Sequence, residues 1–300
     1  MWIQKIETGA IDLLAYAPNG QTLYTYGFGF GNQNLFAWDV ATRTSRQFTN
    51  MPTLWDRPQG IYPLADGKRI VWLHPKFAAI LDAKDGRDLG GVKKLTTHKS
   101  GLRYITPNGR LFYLNALANE ICVWNLRTHK AERERIIPDR RKYYHRCFDL
   151  SRDGRLVAVV NKKREVIVYD WGKGPELHDP IPLTEPADDV RFSPDGQTLA
   201  LYDAKSRRVA LWDVTSGNFR ATKIQTTFTS ELFAFNPTLP VFVGLNPKKK
   251  LTLFSTETGG ALRSLDFGLG QVKCLCFSPD GLTCAVGGSN KQFAVFDVDV

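Results

Sequence analysis

The sequence predicts an all-β protein made of repeated short strands, and the turns between those strands give the first indication. The stretch FSPDG occurs at 192–196 and again at 277–281, with looser copies YAPNG at 16–20 and YITPNG at 104–109. Proline presets φ and glycine accepts a positive φ, so these segments favour a tight turn between two strands. The composition is that of a globular chain, with 43% hydrophobic and 23% charged residues among 300.

A second signature follows each of these turns. It is an alternating apolar strand that ends in an aromatic or aliphatic residue and usually Asp. The residues at the Asp position are Asp39, Asp82, Asn125, Asp170, Asp213, Ser255 and Asp297. Their successive intervals are 43, 43, 45, 43, 42 and 42 residues. A period this constant indicates seven structural repeats.

Each repeat has room for four strands. In the fifth repeat we expect them at about 188–193, 197–203, 208–214 and 219–226. Four short strands in about 40–45 residues, with Trp-Asp at the end of the third, are typical of one blade of a β-propeller. The predicted fold is therefore a seven-bladed β-propeller of four-stranded antiparallel blades.

On these motifs the chain resembles the WD-repeat β-propeller family over essentially its whole length, and its best copy is the segment 192–214. The copies diverge from the family. The Gly-His dipeptide before the first strand is absent, and the Asp that stands six residues before the Trp is replaced in every repeat. The resemblance therefore implies that the family's hydrogen-bond network of His, Ser or Thr, Trp and Asp does not form as such. Apolar packing between blades is expected to supply most of the rigidity.

The two ends of the chain are predicted to meet. The last third strand, FAVFDVDV, reaches residue 300, so the seventh blade lacks a fourth strand. The stretch WIQKIETG at 2–9 stands where a fourth strand would precede the first blade. Pairing the two would close the ring and cover a sheet edge that otherwise favours aggregation. We expect residues 1–300 to form a single domain.

The charge and the cysteines narrow the class of protein. The formal net charge of +10 favours attraction to acidic surfaces and polyanions. No apolar run approaches the about 20 residues of a membrane span, and the first residues lack the pattern of a signal peptide, so we expect a cytoplasmic protein. The five cysteines have no paired CxxC and no Cys/His spacing suited to zinc. We expect no metal and no cofactor.

The candidate site is a basic rim. In the geometry that the resemblance implies, the turns between second and third strands share one rim with the connections into the next blade. These turns are basic in blades four to seven (161–165, 204–208, 246–250 and 289–292), and so is the connection at 138–146. The candidate partner-binding residues are Arg140, Arg141, Lys142, Tyr143, Tyr144, Arg146, Lys162, Lys163, Arg164, Lys205, Arg207, Arg208, Lys248, Lys249, Lys250 and Lys291. The opposite rim collects Asp residues, so we expect the two rims to differ in charge.

The predicted function is that of a monomeric, non-enzymatic scaffold that presents this rim to an acidic or macromolecular partner, in the first place a protein. A solubilising role of the basic turns is the functionless interpretation. A nucleic-acid or polyanion binder is one alternative, because cations beside Tyr143 and Tyr144 suit phosphate pairing and stacking. The second alternative is a lactonase-like hydrolase whose central channel is lined by Arg103, Arg146, Asp188 and Lys273. The common hydrolase and nucleotide motifs do not occur, which favours the scaffold.

Overall fold

Strands and turns make up the part of the chain that the computed structural model describes. The described residues are 1–6, 9–29, 32–49, 58–74, 77–92, 103–106, 109–115, 120–128, 130–131, 135–136, 143–161, 165–170, 174–176, 181–182, 187–203, 205–226 and 232–299. Within these ranges every regular element is a β-strand and none is a helix. The same ranges accordingly offer no helix with the length and apolarity that a bilayer crossing requires. The all-β prediction is confirmed.

The described strands form seven antiparallel sheets, six of which follow one another in chain order from β2 onward. The first three sheets are β2 (Ala10–Tyr16), β3 (Thr22–Gly29), β4 (Asn32–Asp39) and β5 (Ser45–Gln47); β6 (Gly60–Pro63), β7 (Arg69–Leu73), β8 (Ala78–Asp82) and β9 (Asp88–Val92); and β10 (Arg103–Ile105), β11 (Arg110–Asn115), β12 (Glu120–Asn125) with β13 (Lys130–Ala131) and β14 (Arg135–Ile136). In the third sheet β13 and β14 both pair with β12, so together they take the place of a fourth strand.

The remaining sheets repeat this arrangement. Sheets four to six are β15 (Tyr143–Leu150), β16 (Leu156–Asn161), β17 (Glu165–Asp170) with β18 (Gly174–Glu176) and β19 (Ile181–Pro182); β20 (Asp189–Phe192), β21 (Thr198–Asp203), β22 (Arg208–Asp213) and β23 (Asn218–Gln225); and β24 (Ala234–Phe235), β25 (Val241–Leu245), β26 (Leu251–Ser255) and β27 (Ala261–Leu265). The seventh sheet is β28 (Val272–Phe277), β29 (Thr283–Gly288), β30 (Gln292–Asp297) and β1 (Trp2–Lys5). The predicted propeller of four-stranded antiparallel blades is confirmed by these sheets.

The repeat derived from the sequence coincides with the strand ends. All seven residues at the Asp position, from Asp39 to Asp297, are the last residues of the third strands of their sheets. In sheet five the observed strands differ from the predicted ranges by no more than one residue at any end. The agreement is close because alternating apolar residues and turn residues are local signals.

The first strand of the chain completes the seventh sheet, as predicted. It pairs antiparallel with β30, from Trp2 opposite Val295 to Lys5 opposite Gln292. The N-terminal ammonium lies 3.2 Å from Asp297 Oδ2. The Trp2 ring packs edge-on against Phe293 at 5.0 Å and lies 6.2 Å from Trp38 of the first sheet. This strand therefore joins the two ends of the chain and also contacts the neighbouring sheet.

The apolar core is divided among the seams between sheets. Seven clusters of buried side chains are present in the described residues, and each combines side chains of two consecutive sheets. In the seam between sheets one and two, Trp72 packs edge-on against Tyr26 at 5.0 Å. The last cluster joins sheet seven to sheet one through contacts such as Phe293 with Trp38 at 5.1 Å.

The Trp-to-Thr link of the hydrogen-bond network typical of WD-repeat proteins is present in the first sheet. Trp38 Nε1 donates to Thr25 Oγ1 at 3.1 Å in the first sheet. In sheet five the position that corresponds to Thr25 is Leu201, which is buried and apolar. Such replacements agree with the expectation that apolar packing, more than the tryptophan network, holds neighbouring sheets together.

The turns between first and second strands, here called first turns, share one design in sheets four, five and seven. Ser151, Ser193 and Ser278 each donate a hydroxyl hydrogen bond to the Asp two residues later, and each hydroxyl accepts from a backbone N–H five residues later. The glycine that ends the turn has a positive φ, as at Gly196 (72°) and Gly281 (76°). Glycine takes this conformation without the steric cost of a Cβ.

The first turn of sheet six departs from this design and bridges to its neighbour. Asn236 replaces the serine, and its Oδ1 accepts from the backbone N–H of Thr238 and of Leu239 at 2.9 Å. Its Nδ2 donates to the carbonyl oxygen of Gly281 at 2.8 Å, and Thr238 Oγ1 donates to that of Asp280 at 2.9 Å. Two side chains of sheet six thus fix the first turn of sheet seven.

We expect deletion of residues 1–8 to lower the melting temperature and the yield of soluble protein, because it exposes the edge of β30 and removes Trp2 from its aromatic contacts. The milder variant Trp2→Ala is expected to cost about 2 kcal/mol in urea unfolding, less than a fully buried Trp. Ile3→Ala on the same strand is the control, since Ile3 is 44% exposed. Equal stability of the deletion variant and the intact protein would rule out this role of β1.

The bridge between sheets six and seven can be tested with a pair of glycine variants. Gly281→Ala and Gly196→Ala place a Cβ at nearly the same positive φ, so they share the same backbone penalty. A Cβ at position 281 collides with Asn236 and Thr238, whereas at position 196 the nearest atom is Ser151 Cβ at 3.6 Å. Gly281→Ala is therefore expected to cost about 1–2 kcal/mol more in urea unfolding. Equal losses of stability in the two variants would show that a Cβ at position 281 makes no costly contact with Asn236 or Thr238.

Candidate functional site: the cationic rim

The second turns, between the second and third strands, of sheets five, six and seven carry many of the predicted site residues. We define the cationic rim as the Lys and Arg residues of these three turns. They are Lys205, Arg207, Arg208, Lys248, Lys249, Lys250 and Lys291, and all are exposed. Because the strands pair antiparallel in chain order, second turns lie at the opposite end of each sheet from first and third turns. The structure thus places these cations at equivalent turns of consecutive sheets.

Each of the three turns holds one cation in the left-handed backbone conformation. The φ angles are 54° at Arg207, 60° at Lys249 and 67° at Lys291, and each residue ends its hairpin loop. A left-handed conformation costs a residue with a Cβ about 1 kcal/mol, and glycine is the residue that avoids this cost. The cation is therefore kept at a position where the backbone favours glycine.

On the opposite rim, the left-handed positions are occupied mainly by glycine. The positive-φ residues of the described first turns are Gly20, Gly67, Gly109, Gly154, Gly196 and Gly281. In the third turns, between third and fourth strands, they are Gly86, Gly217 and Gly259, with Arg43 (60°) in the first sheet. A left-handed cation is thus found in all three second turns that the structure describes, but in only one of the described first and third turns. Strained positions of this kind point to a functional role for the side chain.

The backbone of the rim is fixed by short polar side chains. In sheet five Asp203 Oδ1 accepts from the N–H of Lys205 at 2.9 Å. In sheet six Asn246 Oδ1 accepts from the N–H of Lys248 at 2.9 Å and of Lys250 at 3.1 Å. In sheet seven Ser289 Oγ accepts from the N–H of Gln271 at 2.9 Å, which ties the turn to the connection before β28. The cations therefore extend from ordered hairpins.

The cations are almost uncompensated. Among the residues that the structure describes, six of the seven form no ion pair. Lys250 Nζ lies 3.9 Å from Asp266 Oδ2, and both side chains are largely exposed, so this pair contributes little. Asp188 is also exposed at this end of sheet five. The rim is therefore positive with isolated carboxylates between the cations.

The opposite rim is less negative than the sequence indicated, because arginines pair with its carboxylates. Arg69 Nε lies 2.7 Å from Asp66 Oδ2, and Arg155 Nη2 lies 2.8 Å from Asp170 Oδ2. Asp213 accepts from the N–H of Ser216 at 2.7 Å and from the guanidinium of Arg220. These two donors lower the pKa of Asp213 to about 2. The sequence could not reveal these pairs, since the partners are separated by a turn or by a strand.

The other predicted site residues either lie outside the described residues or have side chains that the structure does not describe. Arg140, Arg141, Lys142, Lys162, Lys163 and Arg164 lie outside the described residues. Tyr143, Tyr144 and Arg146 belong to β15, whose side chains are described only from Phe148 onward. The stacking surface expected around the two tyrosines stays a prediction.

The residues expected to line a central channel fall on or beside inner strands. Arg103 lies in β10, Arg146 in β15 and Lys273 in β28, while Asp188 directly precedes β20. The described residues contain no cluster of His, Cys, Asp and Glu that could hold a metal ion. Burial raises the pKa of the Cys276 thiol to about 12, and it also raises that of Cys284. These thiols stay protonated at neutral pH, consistent with a packing role.

A buried carboxylate at the seam between sheets four and five was not singled out from the sequence. Asp149 of β15 is 5% exposed, and its Oδ2 accepts from the N–H of Phe192 in β20 at 2.7 Å. Burial raises its pKa to about 6, although the nearby Arg191 acts to lower it and Asp189 contributes repulsion. The only sequence signal was a charged residue within the otherwise apolar end of a strand.

Comparison with known proteins agrees with this architecture. Residues 261–297, which comprise β27 to β30, match the family described as WD domain, G-beta repeat. The meiotic recombination protein rec14 of Schizosaccharomyces pombe is 32% identical over 111 residues, which are 36% of this chain and 35% of that protein. Telomerase Cajal body protein 1 of Bos taurus is 32% identical over 154 residues, which are 47% of this chain and 28% of that protein. The matches thus span about a third of the length of these relatives.

We expect the buried Asp149 to make stability depend on pH. Its folded-state pKa of about 6 lies above the usual value near 3.9, so the folded state holds more protons between these values. The contribution of Asp149 is therefore most favourable below about pH 4 and is lost as the pH rises to 6. Relative to the wild type, Asp149→Asn should gain about 2 kcal/mol in urea unfolding between pH 4.5 and pH 7.5.

The control for this variant is Asp195→Asn, at an exposed first turn that faces none of these groups. The comparison uses the difference between variant and wild type at each pH, because the lowered pKa values of Asp153, Asp213 and Asp280 act at lower pH. A difference between Asp149→Asn and wild type that does not change with pH would contradict the assignment.

Proposed function

We propose that this chain is a WD-repeat β-propeller protein and that it acts as a non-enzymatic scaffold whose cationic rim binds an acidic segment of a partner protein. Propellers of this family are generally protein-interaction scaffolds. Fold alone does not determine function, so the proposal depends on the site. We further infer that the seven sheets are the blades of one ring within a single domain. The seven seam cores and the pairing of β1 with β30 support that inference.

The observation that carries the proposal is the left-handed cation in three consecutive second turns. Arg207, Lys249 and Lys291 occupy positions at which glycine would be the more stable choice. A charge needed only for solubility would be equally effective at any exposed position of the hairpin, without backbone strain. Retaining a cation at the strained position three times favours a function of the charge itself.

The distribution of charge favours an acidic polypeptide as the partner. Asp266 lies 3.9 Å from Lys250, and Asp188 is exposed at the same end of its sheet. Carboxylates between the cations would repel a continuous phosphate backbone, whereas an acidic segment with spaced carboxylates can avoid them. Backbone pre-organisation by Asp203 and Asn246 lowers the entropy lost on binding.

A nucleic-acid partner is the second candidate. The names of the two relatives refer to recombination and to telomerase, and six cations of the rim lack an ion pair among the described residues. A phosphate-binding rim would show a steep loss of affinity with salt, with a logarithmic slope of about 0.9 per phosphate contacted on duplex DNA. The slope therefore separates the two candidates.

The proposal is tested by replacing the strained cations with glycine. The triple variant Arg207→Gly, Lys249→Gly, Lys291→Gly is expected to unfold at equal or higher urea concentration, because glycine relieves the left-handed backbone. Its affinity for poly-L-glutamate at low salt is expected to fall at least about tenfold, since three charges of roughly 0.5 kcal/mol each are lost. Fluorescence anisotropy of labelled polyglutamate measures the affinity.

Arg43→Gly is the matched control, because Arg43 is an exposed left-handed cation in a third turn on the opposite rim. It should gain stability in the same way and leave polyglutamate binding unchanged. If the triple variant binds polyglutamate as tightly as the wild type, the rim has a solubilising role only. Tighter and more salt-dependent binding of duplex DNA than of polyglutamate by the wild type would favour the second candidate.

A further inference from the structure

A cavity lies on the rim opposite the cationic rim, between the first turns of sheets four and five. Its volume is about 570 Å³. Its walls come from Ser151–Asp153 and Arg155–Leu156 of sheet four and from Pro194–Gly196 of sheet five. A cavity of this size is in the range of ligand sites in proteins and can admit a side chain together with the adjoining backbone. It shares no residue with the cationic rim.

The corresponding seam between sheets six and seven shows what such a place can hold. There, Asn236 Nδ2 donates to the carbonyl oxygen of Gly281 at 2.8 Å, and Thr238 Oγ1 donates to that of Asp280 at 2.9 Å. Gly281 and Gly196 end first turns of the same conformation, with φ of 76° and 72° and the same hydrogen bond back to the turn's serine. The carbonyl oxygens of Asp195 and Gly196 are therefore the counterparts of the two acceptors.

Sheet four cannot supply the same bridge. The hydroxyl of Ser151, which stands in the place of Asn236, donates to Asp153 Oδ1 at 2.6 Å and accepts from the N–H of Leu156 at 2.8 Å. A hydroxyl has one proton, and here its own turn uses it, whereas an amide keeps donors after its oxygen has closed the turn. Within the described ranges no residue donates to the carbonyl oxygens of Asp195 or Gly196. The cavity thus presents two backbone acceptors.

Two arginines complete the walls. Arg155 donates through Nε and Nη2 to Asp170 Oδ2 at 3.0 and 2.8 Å, and the Asp170 side chain is 1% exposed. The Arg155 side chain is nevertheless 58% exposed, so a buried carboxylate fixes the position of a guanidinium with free donors. Arg152 is exposed and forms no ion pair with a described residue. Asp153 and Asp195 accept from their own turns, at the N–H groups of Arg155 and Gln197.

We propose that this cavity binds a carboxamide side chain, Asn or Gln, carried by a partner polypeptide. The NH₂ group donates to the carbonyl oxygen of Gly196, as Asn236 donates to Gly281, and the carboxamide oxygen accepts from Arg152. The site satisfies both ends of an amide, while the carboxylates Asp153 and Asp195 disfavour an acidic side chain in the same place. It is a second docking point on the rim opposite the cationic rim, and it does not depend on the function of that rim.

The experiment uses N-acetyl-asparagine methylamide as the probe and N-acetyl-leucine and N-acetyl-aspartate methylamides as matched controls. Binding is followed on the full chain by backbone amide NMR shifts of Arg152 and Gly196. We expect saturable shifts with the asparagine probe at a concentration about tenfold lower than with either control, because a site that pairs an amide discriminates against side chains that leave its groups unpaired. Equal responses to the three probes would refute the proposal.

Two variants locate the response. Ser151→Asn with Asp153→Thr copies the pair Asn236 and Thr238 into sheet four, and it is expected to close the seam and abolish the shifts. Arg152→Ala touches no hydrogen bond of the turn and is expected to weaken the asparagine probe by about fivefold. Lys249→Gly on the cationic rim is the control and should leave the response intact. An unchanged response in Arg152→Ala, or shifts confined to other seams, would place the binding elsewhere and overturn the assignment.

Discussion

The structure depends on apolar packing between neighbouring sheets, because no sheet forms a buried cluster by itself among the residues that the structure describes. Every buried cluster in the described residues is shared by two consecutive sheets. A four-stranded sheet buries both faces only if it has a neighbour on each side, so the first and last sheets must meet. They meet through the contact of Phe293 with Trp38, and the pairing of β1 with β30 completes the last sheet beside the first.

Because the strands form the seams, the residues of the turns can differ from sheet to sheet. The strands supply the seams, whereas the turns need only reverse the chain, and a left-handed residue at the end of each hairpin does so. On one rim that residue is nearly always glycine, as at Gly196. In the second turns of sheets five, six and seven it is Arg207, Lys249 or Lys291. Since both choices give a left-handed backbone, the geometry of the turn does not by itself select the side chain.

The sequence predicted the elements that depend on local signals. The strands of sheet five and the position of Asp213 at a strand end follow from alternation and turn chemistry. The N-terminal strand could be assigned to the last sheet because a period of about 43 residues leaves it no other place. Among the site residues, the sequence located the basic turns but not their conformation, because Lys and Arg do not by themselves indicate a positive φ.

Long-range contacts could not be predicted from the sequence. Arg155 and Asp170 are 15 residues apart, and Asn236 and Gly281 are 45 apart. In the sequence Asp149 is one polar residue of a predicted strand. In the structure its buried Oδ2 accepts a hydrogen bond from the N–H of Phe192 in the next sheet. In each case the partner lies across a seam or a hairpin, where periodicity gives the spacing of sheets but not the side chains that meet.

If both proposals hold, the two rims bind by different physical means. The cationic rim acts through charge at exposed side chains, so its affinity is sensitive to salt and its geometry tolerates a flexible partner. The cavity between sheets four and five acts through directed hydrogen bonds to carbonyl oxygens that the seam itself holds in place, so it selects by shape and donor pattern. Because neither site requires the sheets to move, a partner could occupy both at no cost to the seams, and the two contributions would then multiply through effective concentration.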